Sequence, residues 1–528
     1  MKSATNRYFW WPLPAILALG AAILVVIGSG LVSFSGRPSL DAIATLIGTE
    51  LLLFSWLVAF SPLAPANRLK VVLVVFGLEL IPHLVAYITG FTGDGQPMFA
   101  WRMSTLAGAP LSTAAPELPL KSTAESQPVP DLAEGSPTDY PGFRGRDRSA
   151  TIDAANLARD WNRKPPVQLW RQPIGLGWSS FAIVGQACVT QEQRGDEETT
   201  VCYDILTGRQ LWQHADQARF QEMMGGIGPR ATPTIDGGYV YALGGTGILN
   251  CLDGRNGEVV WSVNILQDHR VVPNAPFGMC GSPLVLDSTV VVGPGGKGTA
   301  LVAYERTTGK KLWAAGYSDA AYSSPQFASL SGHDQILTFN AEGLYAHDPA
   351  TGRVLWFYPW LTPPERNNVC QPIPLPAHDG QLDRVFISSG YGKGCALLQV
   401  GIAADPFQVR QLWANKLLKA KFASAVVHKE FVYGLDDGIL TCIDLRTGTA
   451  CWKQGRYGHG QLLLAGNTLL VQAEKGDVVL VAASAERHQE LGRFAALSDR
   501  TWNHPALAGN LLLVRNDREA ACYRLPAP

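Results

Sequence analysis

Five segments of this chain repeat one spacing, and that spacing limits the fold more than any other feature. They are CYDILTGRQLW (202–212), CLDGRNGEVVW (251–261), AYERTTGKKLW (303–313), AHDPATGRVLW (346–356) and CIDLRTGTACW (442–452). Each places an acid (Asp204, Asp253, Glu305, Asp348, Asp444) four residues before a glycine (Gly208, Gly257, Gly309, Gly352, Gly448). Each then places an indole (Trp212, Trp261, Trp313, Trp356, Trp452) four residues after that glycine. The acid's oxygens cap turn amides, the glycine takes the positive φ at which the chain reverses, and the next strand carries the indole. An indole buries about 150–250 Å², so one at a fixed place in each hairpin is suited to wedging between neighbouring sheets.

Two weaker copies, QLWRQ at Trp170 and QLWAN at Trp413, extend the series, and Phe494 in ELGRF completes it. A second count agrees. Eight apolar strands, from SSFAIVGQACVT to NHPALAGNLLLVR, each open a unit of short strands. Units of this kind predict an all-β, eight-bladed β-propeller of four-stranded antiparallel blades over 140–528. VQLWRQ lacks a preceding hairpin half and ACYRL (520–524) lacks a following one. Pairing these two strands closes the ring and removes two sheet edges.

Ahead of the repeats, apolar runs at about 9–34, 41–62 and 71–91 predict an α-helical, three-span membrane anchor over 1–92. Lys2, Arg7, Arg68 and Lys70 then orient the N-terminus to the cytoplasm. The propeller is expected on the extracytoplasmic, periplasmic side of a bacterial inner membrane, with lipid contact through three helices. Glu50, Glu79 and His83 fall within these runs and mark either a proton or quinone path or polar contacts between helices. Residues 93–139 are rich in Ala, Pro and Ser and read as a disordered linker.

Net charge is −1, which excludes an electrostatic nucleic-acid binder. The nine cysteines include no C-x-x-C and no adjacent pair, so no zinc site follows. They read as buried strand residues, with one or more disulfides possible in an oxidising compartment. No G-x-S-x-G or H-E-x-x-H motif occurs. GPGGKGT (293–299) departs from a phosphate loop because Gly, not Ser or Thr, follows Lys297.

The D-x-x-T-G-x-x-x-W repeat resembles the pyrroloquinoline quinone (PQQ)-like propeller family over about 140–528. DYPGFRGRDRSA, GPRATPTIDGG, YSSP and SSGYGKG are similar to bacterial extracytoplasmic members. The family implies one of two functions. One is a PQQ-dependent quinoprotein oxidoreductase of alcohols or sugars, with Ca2+. The other is a non-catalytic scaffold like the propeller lipoprotein of the outer-membrane β-barrel assembly machinery. Members with N-terminal spans support the first. The missing Cys-Cys dipeptide, short blades and lack of an acidic cluster that assigns itself as calcium ligands favour the second. The chain is therefore expected to be a membrane-anchored interaction platform for a protein or envelope polymer, with no catalytic residue, metal or cofactor.

Residues just before each blade's first strand rim one mouth of a propeller channel. Here they are Trp178, Arg230, Cys280, Tyr322, Asn368, Lys421, His459, Trp502 and His504, with Tyr391 nearby. This ring contains no carboxylate and is expected to receive an anionic or sugar-like group, or an acidic segment of a partner, with Arg230 as anchor.

Overall fold

Alternating apolar strands separated by Gly-bearing turns form eight blade sheets among the described residues, each with four antiparallel strands and one with a fifth, parallel strand at its edge. The structure, a computed structural model, describes residues 12–28, 38–59, 61, 63–64, 66–71, 73–74, 86–101, 131–133 and 135–528. Within the last range, 154–156, 273–274, 363–366, 378–381 and 402–406 are excepted. The chain divides into two compact units, 1–112 and 113–528.

In the larger unit, blade 1 runs from strand Ala182–Val184 to Gln210–Asp216 and blade 2 from Thr234–Asp236 to Val259–Asn264. Blade 3 runs from Leu284–Val285 to Lys311–Ala315 and blade 4 from Gln326–Leu330 to Val354–Pro359. Blade 5 runs from Ile373–Leu375 to Gln408–Asn415, blade 6 from Val426–His428 to Ala450–Arg456 and blade 7 from Gln461–Ala465 to Glu490–Ala495. Blade 8 joins the last three strands, which begin at Ala506–Ala508 and end at Glu519–Arg524, to the early strand Val167–Pro173. In that closure Cys522 lies opposite Trp170, as the unpaired ends of the repeat series imply.

The indoles wedge blades together as their spacing predicts. A Cβ on Gly208, Gly257, Gly309, Gly352 or Gly448 would meet the ring of Trp170, Trp212, Trp261, Trp313 or Trp413 of the preceding blade, at 2.4–2.8 Å. Trp212 Nε1 also donates to Gly254 O at 2.8 Å, and Trp170 Nε1 to Ile205 O at 2.8 Å. Trp356 differs: its Nε1 turns to Gln335 in its own blade at 2.7 Å. Blade 5, which follows it, lacks the acid-Gly turn. Blade 7 has no outer indole. There Trp161, from before the ring, covers Gly492 and packs on Phe494 at 5.6 Å between ring centres.

Every outer strand carries a β-bulge beside its wedge position, so that two residues face one on the neighbouring strand. All nine cysteines are free thiols, and seven are buried.

Residues 139–152 cross the ring, a feature the repeats do not foreshadow. Tyr140 pairs with Ile183 of blade 1, and Ile235 N of blade 2 donates to Pro141 O at 2.7 Å. Buried Arg148 donates to Ser282 O at 3.1 Å, Pro325 O at 2.7 Å and Pro283 O. Buried Arg144 donates to Ala425 O at 2.7 Å, and Thr151–Ile152 adds a parallel fifth strand to blade 7. Gly185 N and Gly509 N, in first-to-second strand turns, donate to Asp139 Oδ1 and Thr138 O. The segment thus spans the ring from the first-to-second strand turns to the carbonyls just ahead of the first strands.

The smaller unit corrects the anchor. No helix among the described residues is long and apolar enough to cross a membrane. Helix α1, Pro12–Gly28, has 17 residues; at about 1.5 Å per residue it falls short of a hydrocarbon core of about 30 Å. Helix α2, Pro38–Ala59, is longer, but it includes Asp41, Thr45, Thr49 and Glu50, and Glu50 is exposed. The third expected span ends in a hairpin, in which Ala86–Phe91 pairs with Pro97–Trp101. The expected three-helix lipid contact and the multi-pass inner-membrane location with a periplasmic propeller are therefore overturned. Glu79 and His83, and most of the linker at 93–139, lie outside the described residues.

Candidate functional site

Strands alternate in direction, so loops entering each first strand share one face with the second-to-third strand turns. The predicted rim residues follow this rule, and the structure gathers them into separate groups.

The first group joins blades 6, 7, 8 and 1. Trp178 and Trp502 pack at 4.8 Å with their planes tilted by 33°, Phe422 packs on Trp502 at 5.0 Å, and His459 lies 5.3 Å from Phe422. The Arg500 guanidinium lies over both indoles, 4.3 Å from Trp502 and 5.0 Å from Trp178. Cations over indole faces gain from the ring quadrupole, more so when desolvated. Burial also pulls the Arg500 pKa below its ordinary value. Glu474 fixes the group by accepting from Trp502 Nε1 and from His459 N, both at 2.9 Å.

The second group joins blades 2 to 4. Arg230 pairs with Glu222 at 3.3 Å, donates to Gly228 O at 2.7 Å and lies 4.7 Å over Phe220. Its side chain is only 9% exposed. Phe277 packs edge-on to Tyr322 at 5.4 Å, with partly exposed Cys280 in the same cluster. The third group, on blades 5 and 6, sets Lys421 Nζ 5.8 Å from the Tyr391 ring, whose residue holds φ at 55°.

Two expected rim residues do internal work instead. Asn368 is fully buried. It donates to Asn340 O and Trp360 O, accepts from Thr362 and Ser389 hydroxyls, and its carbonyl receives Tyr322 N. His504 is buried against Phe143 of the channel segment at 5.9 Å. Burial, then nearby Arg144, pushes its pKa down to about 3.

The acidic members Glu222 and Glu474, and the cation Arg500, are absent from the sequence-level ring. Arg500 lies two residues before Trp502, Glu222 eight before Arg230, and Glu474 in the second-to-third strand turn of blade 7, fifteen after His459. The only available signal was the acid at each of those loops or turns, which looks like any solvated turn.

Calcium takes six to eight oxygen ligands. Among the described residues no three of His, Cys, Asp and Glu come together to hold a metal ion. The oxygens of Glu222 are already bonded to Met224 N, Gly225 N and Arg230. The Glu222 carboxylate is thus committed to its own loop and to Arg230.

The sequence matches the family described as outer membrane protein assembly factor BamB over residues 121–278 and 196–454. No curated protein matches it. Among solved structures, it is similar to quinohemoprotein alcohol dehydrogenase from Comamonas testosteroni. That match has 14% identity and a TM-score of 0.54, covering 75% of this chain and 82% of that one. Quinohemoprotein alcohol dehydrogenase ADHIIG from Pseudomonas putida HK5 gives 13% identity and a TM-score of 0.54, covering 76% and 83%. BamB from Moraxella catarrhalis gives 16% and 0.49, covering 68% and 100%. At such identities the structural likenesses show the propeller fold alone.

Proposed function

Because the chain belongs to the family of the outer membrane protein assembly factor BamB, matched over more than half its length, we propose that its propeller is a non-catalytic platform that holds a protein partner on the face of the predicted rim. One observation carries this reading. Five successive inter-blade loops on that face each present an exposed large apolar side chain. These are Met223 (79% exposed), Val272 (82%), Tyr317 (74%), Leu361 (51%) and Leu417 (37%). Exposed large apolar side chains repeated loop after loop along one face are the residue type that interaction surfaces use. The Trp178–Trp502–Arg500 group beside it supplies the residue types that dominate protein interfaces. The family's name points to assembly with other proteins, which agrees with loops rather than a pocket as the working surface.

The test compares two variants of the whole chain. Val272→Asp with Tyr317→Asp changes the proposed face. Leu206→Asp changes an exposed leucine in a third-to-fourth strand turn, on the opposite face. Cross-linking in the source cell is expected to lose its protein adduct with the first variant and keep it with the second. Equal capture by both removes the proposal. Dye-linked alcohol oxidation by the purified chain given PQQ and Ca2+ would replace it with the oxidoreductase reading, which rests on fold likeness.

A further inference from the structure

The bulge beside each wedge position provides an internal comparison. Seven blades fill it with an aliphatic residue: Leu169, Leu211, Val260, Leu312, Leu355, Leu412 or Leu491. Blade 6 alone has a thiol there, Cys451. The residue facing that bulge is another thiol, Cys442, opposite Trp452. The two-against-one bulge sets both Cys451 and Trp452 against Cys442 on the neighbouring strand, and the nearby Cys451 adds to the burial that raises the Cys442 pKa. Cys451 is partly exposed, whereas Cys442 is buried. One thiol is therefore open to reagents and the other sits behind it.

We propose that Cys442 and Cys451 form a redox-active dithiol that closes to a disulfide across the outer hairpin of blade 6, with a small-molecule disulfide as oxidant. The Cys451 thiolate attacks one sulfur of the reagent, breaking its S–S bond, forming a mixed disulfide and releasing one reagent thiolate. The Cys442 thiolate then attacks the Cys451 sulfur, forming the internal S–S bond and expelling the second reagent thiolate. Both cysteine protons pass to the buffer and end on the two reagent thiolates, so two cysteines are oxidised while one reagent disulfide is reduced to two thiols. Burial holds the Cys442 thiol well above its ordinary pKa, so closure quickens as pH rises. Seven blades manage without a thiol pair at this place, which separates the proposal from the general stability of the ring and from partner binding.

The experiment treats the folded full chain with oxidised glutathione at pH 8, blocks remaining thiols and digests with trypsin. Trypsin cuts after Arg446, between the two cysteines. Wild type is expected to give two peptides joined through Cys442 and Cys451 and separable by reductant. Cys451→Ser is expected to lose this product. Cys442→Ser is expected to stop at a glutathione adduct on Cys451, because the resolving thiol is gone. An equally persistent adduct on wild type and Cys442→Ser overturns the proposal. So does a Cys451 that stays unmodified in the folded chain.

Discussion

Replacing Gly257 by alanine tests the wedge directly. Gly257 holds φ at 76°, and a Cβ there would lie 2.6 Å from Cε3 of Trp212. Neither side yields readily. Trp212 is buried and bonded to Gly254 O. The turn is fixed by Gly257 N on Asp253 O and by Asp253 N on Glu258 O, both at 2.8 Å. Gly185 is the control, because it holds φ at 57° with nothing within 4 Å of its Cβ position. The left-handed backbone costs an alanine about 1–2 kcal/mol at either site. The collision adds about 1–3 kcal/mol at Gly257 alone. Urea unfolding, followed by circular dichroism and tryptophan emission, measures the difference through midpoints at constant slope. The Trp212→Leu background supplies the second reading. Without the ring, Gly257→Ala is expected to cost only the backbone share, giving a coupling of about 1–3 kcal/mol. Equal losses for Gly185→Ala and Gly257→Ala, or an unchanged loss in the Trp212→Leu background, refute the wedge.

Three further outcomes follow from other parts of the ring. His504 is neutral in the fold, with its pKa near 3. The unfolded chain binds a proton below about 6.5 that the fold does not. Stability is therefore expected to fall as pH drops from about 6.5 toward 3, by on the order of 1 kcal/mol per pH unit, with no contribution above that window. His504→Gln should flatten this slope, and an identical slope argues against it. Buried Glu192 accepts from Tyr203 Oη at 2.6 Å, Gly175 N at 2.8 Å and Arg194 Nε at 2.9 Å. Glu192→Ala strands these donors and is expected to cost about 3–5 kcal/mol in denaturant unfolding; a loss similar to that of a surface substitution contradicts this. Truncation after Arg518 removes the strand that pairs with Val167–Pro173, exposing sheet edges. A lower melting temperature and faster proteolysis are expected, and an unchanged melting curve would exclude a stabilising role for the closure.

Much of the ring is written locally. An acid, a glycine and an indole within nine residues set a hairpin whatever surrounds it, and repetition of the unit dictates the neighbour it packs against. The apolar N-terminal runs show the limit of such reading. Composition suggests three spans, whereas backbone pairing puts 86–91 into a hairpin, and α1 ends its described course at Gly28. The rim was legible as positions but not as chemistry. Trp178 and Trp502 are 324 residues apart and meet only when blade 8 closes on blade 1. Arg230 was visible as a cation, but Glu222 and Phe220 occupy it. By itself the sequence determined eight sheets, their order and the joining strand, because hairpin geometry and burial of an indole act within one unit and its neighbour. Only the tertiary structure decided that Arg144 and Arg148 reach carbonyls just ahead of the first strands, that Asn368 and His504 turn inward, and that Cys451 and Trp452 are set against Cys442 across a bulge. Those outcomes depend on which backbone carbonyls and side chains arrive from distant blades, a matter of closure geometry that no local spacing encodes.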